Sequence, residues 1–205
     1  MEQILEKLFE SVPKARILRL LIRNQEERFR FDEIASRSQV RARIARSELK
    51  KLMRLGLINL ETERVESPMK RRGRVRFKKV SVYVVNTGFI AFRELRDLIA
   101  KASIAPRKKF FRQLNGLGRV KLAVLSGIFV NNGENSRTDL LVVGDNLNKR
   151  RLAAFLANTE SELGKSVQYT LMDTDEFKYR MDMYDRFLRD ILEYPHEKLI
   201  NKLNL

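Results

Sequence analysis

The stretch from Phe29 to Lys79 constrains the fold most, because two kinds of periodicity follow each other there with punctuation between them. A short extended piece, Arg28-Phe29-Arg30-Phe31, leads into Asp32-Glu33-Ile34-Ala35, where Asp32 is the expected N-cap and Glu33 suits the positive first turn of a helix. Ser38-Gln39-Val40 breaks that helix. From about 41 to 55, Ile44, Ala45, Leu49, Leu52 and Leu55 recur at helical spacing and are expected to face inward, while Arg41, Arg43, Arg46, Ser47, Lys50 and Arg54 fill the other side. Gly56 supplies a C-cap. An extended run Leu57-Ile58-Asn59-Leu60, a turn at Ser67-Pro68, the cluster Lys70-Arg71-Arg72-Gly73-Arg74 and a β-branched run from Val75 to Val85 complete the stretch. The order is helix, turn, helix, hairpin.

Charge falls on the same half of the chain. The 205 residues carry a net charge of +16, and an excess of this size points to a polyanionic partner. Residues 1–103 hold 25 Lys and Arg against 13 Asp and Glu, whereas residues 104–205 hold 17 against 13. In element order and charge the stretch resembles the winged helix-turn-helix of small transcription regulators, with about 41–55 as recognition helix and about 69–79 as wing. The resemblance implies double-stranded DNA as partner. Arg43, Arg46, Ser47 and Lys50 would then lie on the exposed side of the recognition helix and read base edges, with Arg41 at its start nearer the backbone. Lys70, Arg71, Arg72, Arg74 and Arg76, on and beside the wing tip, would grip phosphates or enter the minor groove.

Several function classes are excluded or weakened by composition. Without cysteine there is no disulfide framework, thiol nucleophile or thiolate metal site, and His196 is the single histidine. No apolar run reaches membrane-spanning length, and the first residues lack a signal-peptide pattern, so the expected location is cytoplasmic with no membrane partner. Helices are expected over about 2–9 and 13–23, with Pro13 in the first helical position and Ile17, Leu18, Leu20, Leu21 and Ile22 packed under Ile34, Leu49 and Leu52. The leading helix, with Ile4, Leu5, Leu8 and Phe9 on one face, is the candidate surface for a homodimer. After a helix over about 89–102, Ala105-Pro106 and the basic run from Arg107 to Arg112 place a domain boundary between 103 and 104.

The second half reads as strand (Val120–Leu125), loop, buried strand (Thr138–Asp145), helix (about 148–163), strand (Val167–Met172) and closing helices. The fold class is α/β, α+β over the whole chain. Leu125-Ser126-Gly127-Ile128-Phe129 followed by Ser136-Arg137-Thr138-Asp139-Leu140-Leu141-Val142-Val143 resembles the minimal nucleotidyltransferase domain of the polymerase-β-type superfamily. Working members carry Gly-Ser at the loop and two aspartates flanking one residue on the next strand, which hold the metal bridging the triphosphate. Here Ile128 follows Gly127 in place of the serine, and Arg137 stands where the first aspartate would be, leaving Asp139 alone. Strand alternation would put residues 137 and 139 on one face, and an Arg137 to Asp139 ion pair is the expected arrangement. The resemblance therefore implies an inactive domain with no metal and no cofactor, which senses or scaffolds, and in which Arg137 offers a nucleotide or another anion a partner. Two alternatives stay open: an active nucleotidyltransferase using the basic half to hold its acceptor, and an RNA-binding protein.

Overall fold

The computed structural model describes residues 4–66, 77–102, 107–130 and 137–205. The chain divides into two compact units, one of Met1–Ser103 with Glu160–Lys165 and one of Ile104–Thr159 with Ser166–Leu205. The architecture is mixed, with helices and two β-sheets. Among the described residues no helix is long and apolar enough to cross a membrane.

In the first unit, α1 (Ile4–Leu8) precedes α2 (Val12–Arg23), whose N-cap Ser11 accepts a hydrogen bond from Lys14 N at 3.2 Å. Val12 takes the first helical position and Pro13 the second, one later than expected; its missing N–H is still harmless in the first turn. Ile17, Leu18, Leu20, Leu21 and Ile22 are all buried and, with Ile34, Leu49, Leu52, Ile58 and Val85, form one core. The same helix buries Arg19, whose Nη1 and Nη2 donate to the Glu6 carboxylate of α1 at 2.6 and 3.1 Å. Burial pushes the Glu6 carboxyl up, but the Arg19 hydrogen bonds, a backbone hydrogen bond and the charges of Arg19 and Arg16 outweigh it and hold the group below its ordinary value.

β1 is the two-residue piece Phe29–Arg30, and α3 runs over Phe31–Arg37. The helix thus starts earlier than expected: Arg30, not Asp32, occupies the N-cap position. Arg30 N donates to Glu33 Oε2 at 2.8 Å, and Asp32 is inside the helix, paired with the Arg30 guanidinium at 3.1 Å. A turn with Gln39 at φ 54° leads to α4 (Ala42–Leu55), which ends at Gly56 with φ 80°, a left-handed conformation that costs glycine little. β2 (Ile58–Glu66) and β3 (Phe77–Val85) pair antiparallel from Ile58↔Val85 out to Glu66↔Phe77, an arm of roughly 27 Å at strand rise. β1 adds to the other edge of β3 through Phe29↔Tyr83, giving the order β1-β3-β2. α5 (Phe92–Ala102) closes the core with Phe92 and Ile99.

The second unit is built on a four-stranded sheet. α6 (Arg107–Asn115) leads into β4 (Arg119–Leu125), a single 3-10 turn (Gly127–Phe129) and β5 (Leu140–Asp145). α7 (Lys149–Leu163, of which the residues from Glu160 on belong to the first unit), β6 (Tyr169–Met172), α8 (Thr174–Asp182), α9 (Arg186–Glu193) and β7 (Glu197–Asn201) follow. The strand order is β6-β5-β4-β7, with β5 and β6 parallel and the other pairs antiparallel. Residues Leu140 to Val143 are all buried, which fits a central strand covered on both faces. One face packs Leu122, Val124, Leu141 and Val143 against Phe177, Leu188 and Ile191. Elsewhere in the unit, Phe110 of α6 meets Phe129 and Phe155 edge-on at 5.5 and 5.2 Å.

Candidate functional site

On α4 the residues Ala45, Glu48, Leu49 and Leu52 are buried, and Arg43, Arg46, Ser47, Lys50 and Arg54 are exposed. Two of the expected inward residues do not turn in: Ile44 and Leu55 are 40% and 58% exposed, because at helical pitch they fall on the flank of the stripe set by 45, 49 and 52. Glu48 takes a place on the inner side instead. It is the single acid of the helix, and Lys51 Nζ holds its Oε1 at 2.6 Å. With that carboxylate turned away, the outer face presents cations unopposed. Arg43, Ser47, Lys50 and Arg54 recur at i, i+4, i+7 and i+11, within about 60° of one line. Arg54 was not among the expected site residues, although this spacing marks it in the sequence.

Arg41 is the N-cap residue; it makes no side-chain cap bond, as an arginine cannot accept, and its carbonyl accepts from Ile44 N and Ala45 N, each at 2.9 Å. Its side chain is exposed at the start of the face. The Arg46 guanidinium lies over the Phe31 ring of α3 at 4.8 Å from its centroid, which orients it without neutralising it. Farther out, Arg64 of β2 sits directly across from Lys79 of β3, a like-charge pair that is unfavourable by itself, with Lys78 beside it. The other residues expected to touch DNA, Lys70, Arg71, Arg72, Arg74 and Arg76, lie outside the described residues.

The loop of the second unit is arranged differently from the expectation. Strand β5 begins at Leu140, so Arg137 and Asp139 precede it and strand alternation does not align them. Asp139 is 6% exposed, and its Oδ1 and Oδ2 accept hydrogen bonds from Ile128 N at 2.9 Å and Gln168 N at 2.8 Å. Arg137 is exposed and its Nε pairs with Asp190 Oδ2 of α9 at 3.0 Å. The expected Arg137 to Asp139 ion pair is therefore absent; each group has found another partner, the acid in backbone amides and the cation in a helix distant in sequence. Gly127, with φ 52°, is buried and opens the turn that brings Ile128 N to the carboxylate.

The same residue ties three segments together. Ser126 N donates to Asp139 O at 2.8 Å, Asp139 N to Gln168 O at 2.7 Å, and Thr138 Oγ1 to Gln168 O at 3.0 Å. Asp139 thus behaves as a strut between the end of β4 and the start of β6. Of the other acids in this unit, Asp185 caps α9 through Leu188 N at 3.1 Å, and Glu193 pairs with Arg189 at 3.0 Å. Among the described residues no group of three or more His, Cys, Asp or Glu could hold a metal ion. His196 Nδ1 is 2.9 Å from Tyr194 O in the approach to β7, far in sequence from either set.

Comparison of the chain with protein-family models, with curated proteins and with solved structures gave no match. The chemistry of these two places must therefore be argued from their own groups. α4 offers guanidinium forks and an ammonium on one open face, suited to phosphate oxygens and to the O6 and N7 acceptors of guanine. The Asp139 junction offers an acceptor whose two oxygens are already engaged.

Proposed function

We propose that the chain is a cytoplasmic DNA-binding transcription regulator, with a winged helix-turn-helix in its first unit and a catalytically degenerate nucleotidyltransferase-like domain in its second. The observation that carries the reading is the disposition of charge on α4: its one acid is turned inward and its cations outward in a stripe. The helix follows α3 after a short turn and is followed in turn by a long hairpin, the order that lets a helix enter the major groove while an arm reaches along the backbone. Arg43, Ser47 and Lys50 read bases; Arg41 and the hairpin cations Arg64, Lys78 and Lys79 hold phosphates. Exposed Ile44 suits a thymine methyl.

The second unit contributes no transfer chemistry in this reading. Support comes from Asp139, whose carboxylate oxygens serve two backbone amides, and from Arg137, a cation at the sequence position where the resemblance would require the second acid, held by Asp190. The test is equilibrium binding of the full chain to duplex DNA across about 50 to 200 mM salt, where phosphate neutralisation makes affinity fall steeply. Steep salt dependence, weakened by Arg43→Ala with Lys50→Ala, is the expected result. No binding to any duplex at low salt overturns the proposal, as does metal-dependent labelling by nucleoside triphosphates that Asp139→Asn abolishes.

A further inference from the structure

The second unit carries a basic patch of its own, on the side where α6 turns into β4 and β5 turns into α7. Two turns are locked together there. Asn148 N donates to Leu117 O at 2.8 Å, Arg151 Nη1 donates to Gly116 O at 3.0 Å, and Gly118, at φ 143°, lies so close that a Cβ would sit 2.7 Å from Asn146 O. The junction sets Arg119, the first residue of β4, beside the first turn of α7, which contains Lys149, Arg150 and Arg151. All four cations are exposed.

Their placement works against the fold. A helix N-terminus carries the positive end of its dipole, so three cations and no acid in the first turn of α7 are unfavourable where they stand. Nor does a neighbouring carboxylate relieve them. Asp145 is the register partner of Arg119, but its carboxylate is occupied by Lys121 Nζ and Thr174 N, each at 3.1 Å. Among the described residues no ion pair joins Arg119, Lys149, Arg150 or Arg151 to an acid.

We infer that this patch binds the phosphate backbone of nucleic acid, so that the second unit holds the same polyanion that the first unit reads. Three of the four cations are arginines, whose planar forks match phosphate oxygens. The exposed residues between them are Gly116, Gly118, Asn146 and Asn148, which supply hydrogen-bonding and close approach but no apolar anchor of the kind a membrane surface requires. The inference rests on the nucleic-acid reading above and adds a binding surface that reading does not contain.

The experiment compares the full chain with its Arg119→Ala/Lys149→Ala/Arg150→Ala variant, Arg151 being kept because it bonds Gly116. Binding to a mixed-sequence duplex is followed against salt, beside an Arg43→Ala/Lys50→Ala variant and binding to vesicles containing phosphatidylserine. The patch variant is expected to flatten the slope of log affinity against log salt by about 0.9 for each phosphate no longer neutralised, roughly two to three phosphates in all. Its thermal midpoint should equal or exceed that of the natural chain, since cations leave a helix N-terminus. A duplex slope unchanged in the patch variant but flattened in the α4 variant overturns this inference alone. Duplex binding by neither natural chain nor variants overturns it together with the reading beneath it, and weakening confined to vesicles reassigns the patch to membrane and overturns it too.

Discussion

The exposed face of α4 and the Asp139 junction each bring acid and cation close together in sequence, and they resolve the conflict in opposite senses. On α4 the lone acid, Glu48, is buried and bound to Lys51, so that Arg43, Lys50 and Arg54 stand exposed with no carboxylate beside them. In the second unit the acid, Asp139, is buried and satisfied by backbone amides, and the cation, Arg137, is matched with Asp190. A face whose charges lack internal partners favours an external one. A junction whose polar groups are all matched favours folding. The contrast is why the outer face of α4 is proposed to meet a partner and the Asp139 junction to hold the fold.

The largest effects are expected at the buried charged groups. Asp139→Ala removes the buried carboxylate that accepts from two partly buried backbone amides and should destabilise the second unit by about 1 to 3 kcal/mol, read in urea unfolding. Asp139→Asn, which keeps one acceptor oxygen, should lose less. If Asp139→Ala instead leaves stability intact and abolishes magnesium or manganese binding shown by the natural chain, the strut account fails. Of comparable size is Glu6→Gln, which leaves Arg19 buried without its charge partner and should cost about 3 kcal/mol in the first unit.

Acid sharpens that prediction. The folded Glu6 carboxyl is held below its ordinary value, so the stability it contributes is present above an unfolded value of about 4.3 and is lost as pH falls through the folded one. Acid unfolding of the natural chain should therefore show a component absent from Glu6→Gln. On the exposed face the effects fall on binding. Arg43→Ala should cost about 1 to 3 kcal/mol on preferred duplexes with little change in thermal midpoint. Smallest of all is Arg137→Ala, since the Arg137 to Asp190 pair is open to solvent and worth about 0 to 1 kcal/mol. Arg137→Asp should gain no metal site, because residues 137 and 139 do not share a strand face. Tight binding of magnesium or manganese by that variant would contradict this placement of residues 137 and 139.

Much of the first unit was legible because its signals are local. The 3.6-residue period of α4, Gly56 after it and the β-branched runs are properties of short windows; α4 and β3 fall where those windows place them, whereas β2 runs on to Glu66, past the expected Leu57-to-Leu60 run, and the expected turn at Ser67-Pro68 lies outside the described residues. What the period cannot rank is the flank: Ile44 and Leu55 match the apolar spacing yet lie outside, and Glu48, three residues after 45 and four before 52, lies inside with its Oε1 held by Lys51. In the second unit the misses are long-range. Asp190, the partner of Arg137, and Gln168 N, the donor to Asp139, are brought near only by the sheet and helix packing, and no spacing rule connects them. β7 has too little alternation to stand out, and α6 hides in a basic run whose buried aromatic, Phe110, has an exposed neighbour in Phe111.

The central claim, that α4 reads bases and does more than attract phosphates, is tested most directly by selecting duplexes from a random pool with the full chain and with Arg43→Ala. The account predicts an enriched sequence for the natural chain and the loss of preference at one or two base pairs of it, guanine-containing ones first, in the variant. The same sequence enriched by both proteins, or none enriched by the natural chain at salt concentrations where it binds, would contradict it.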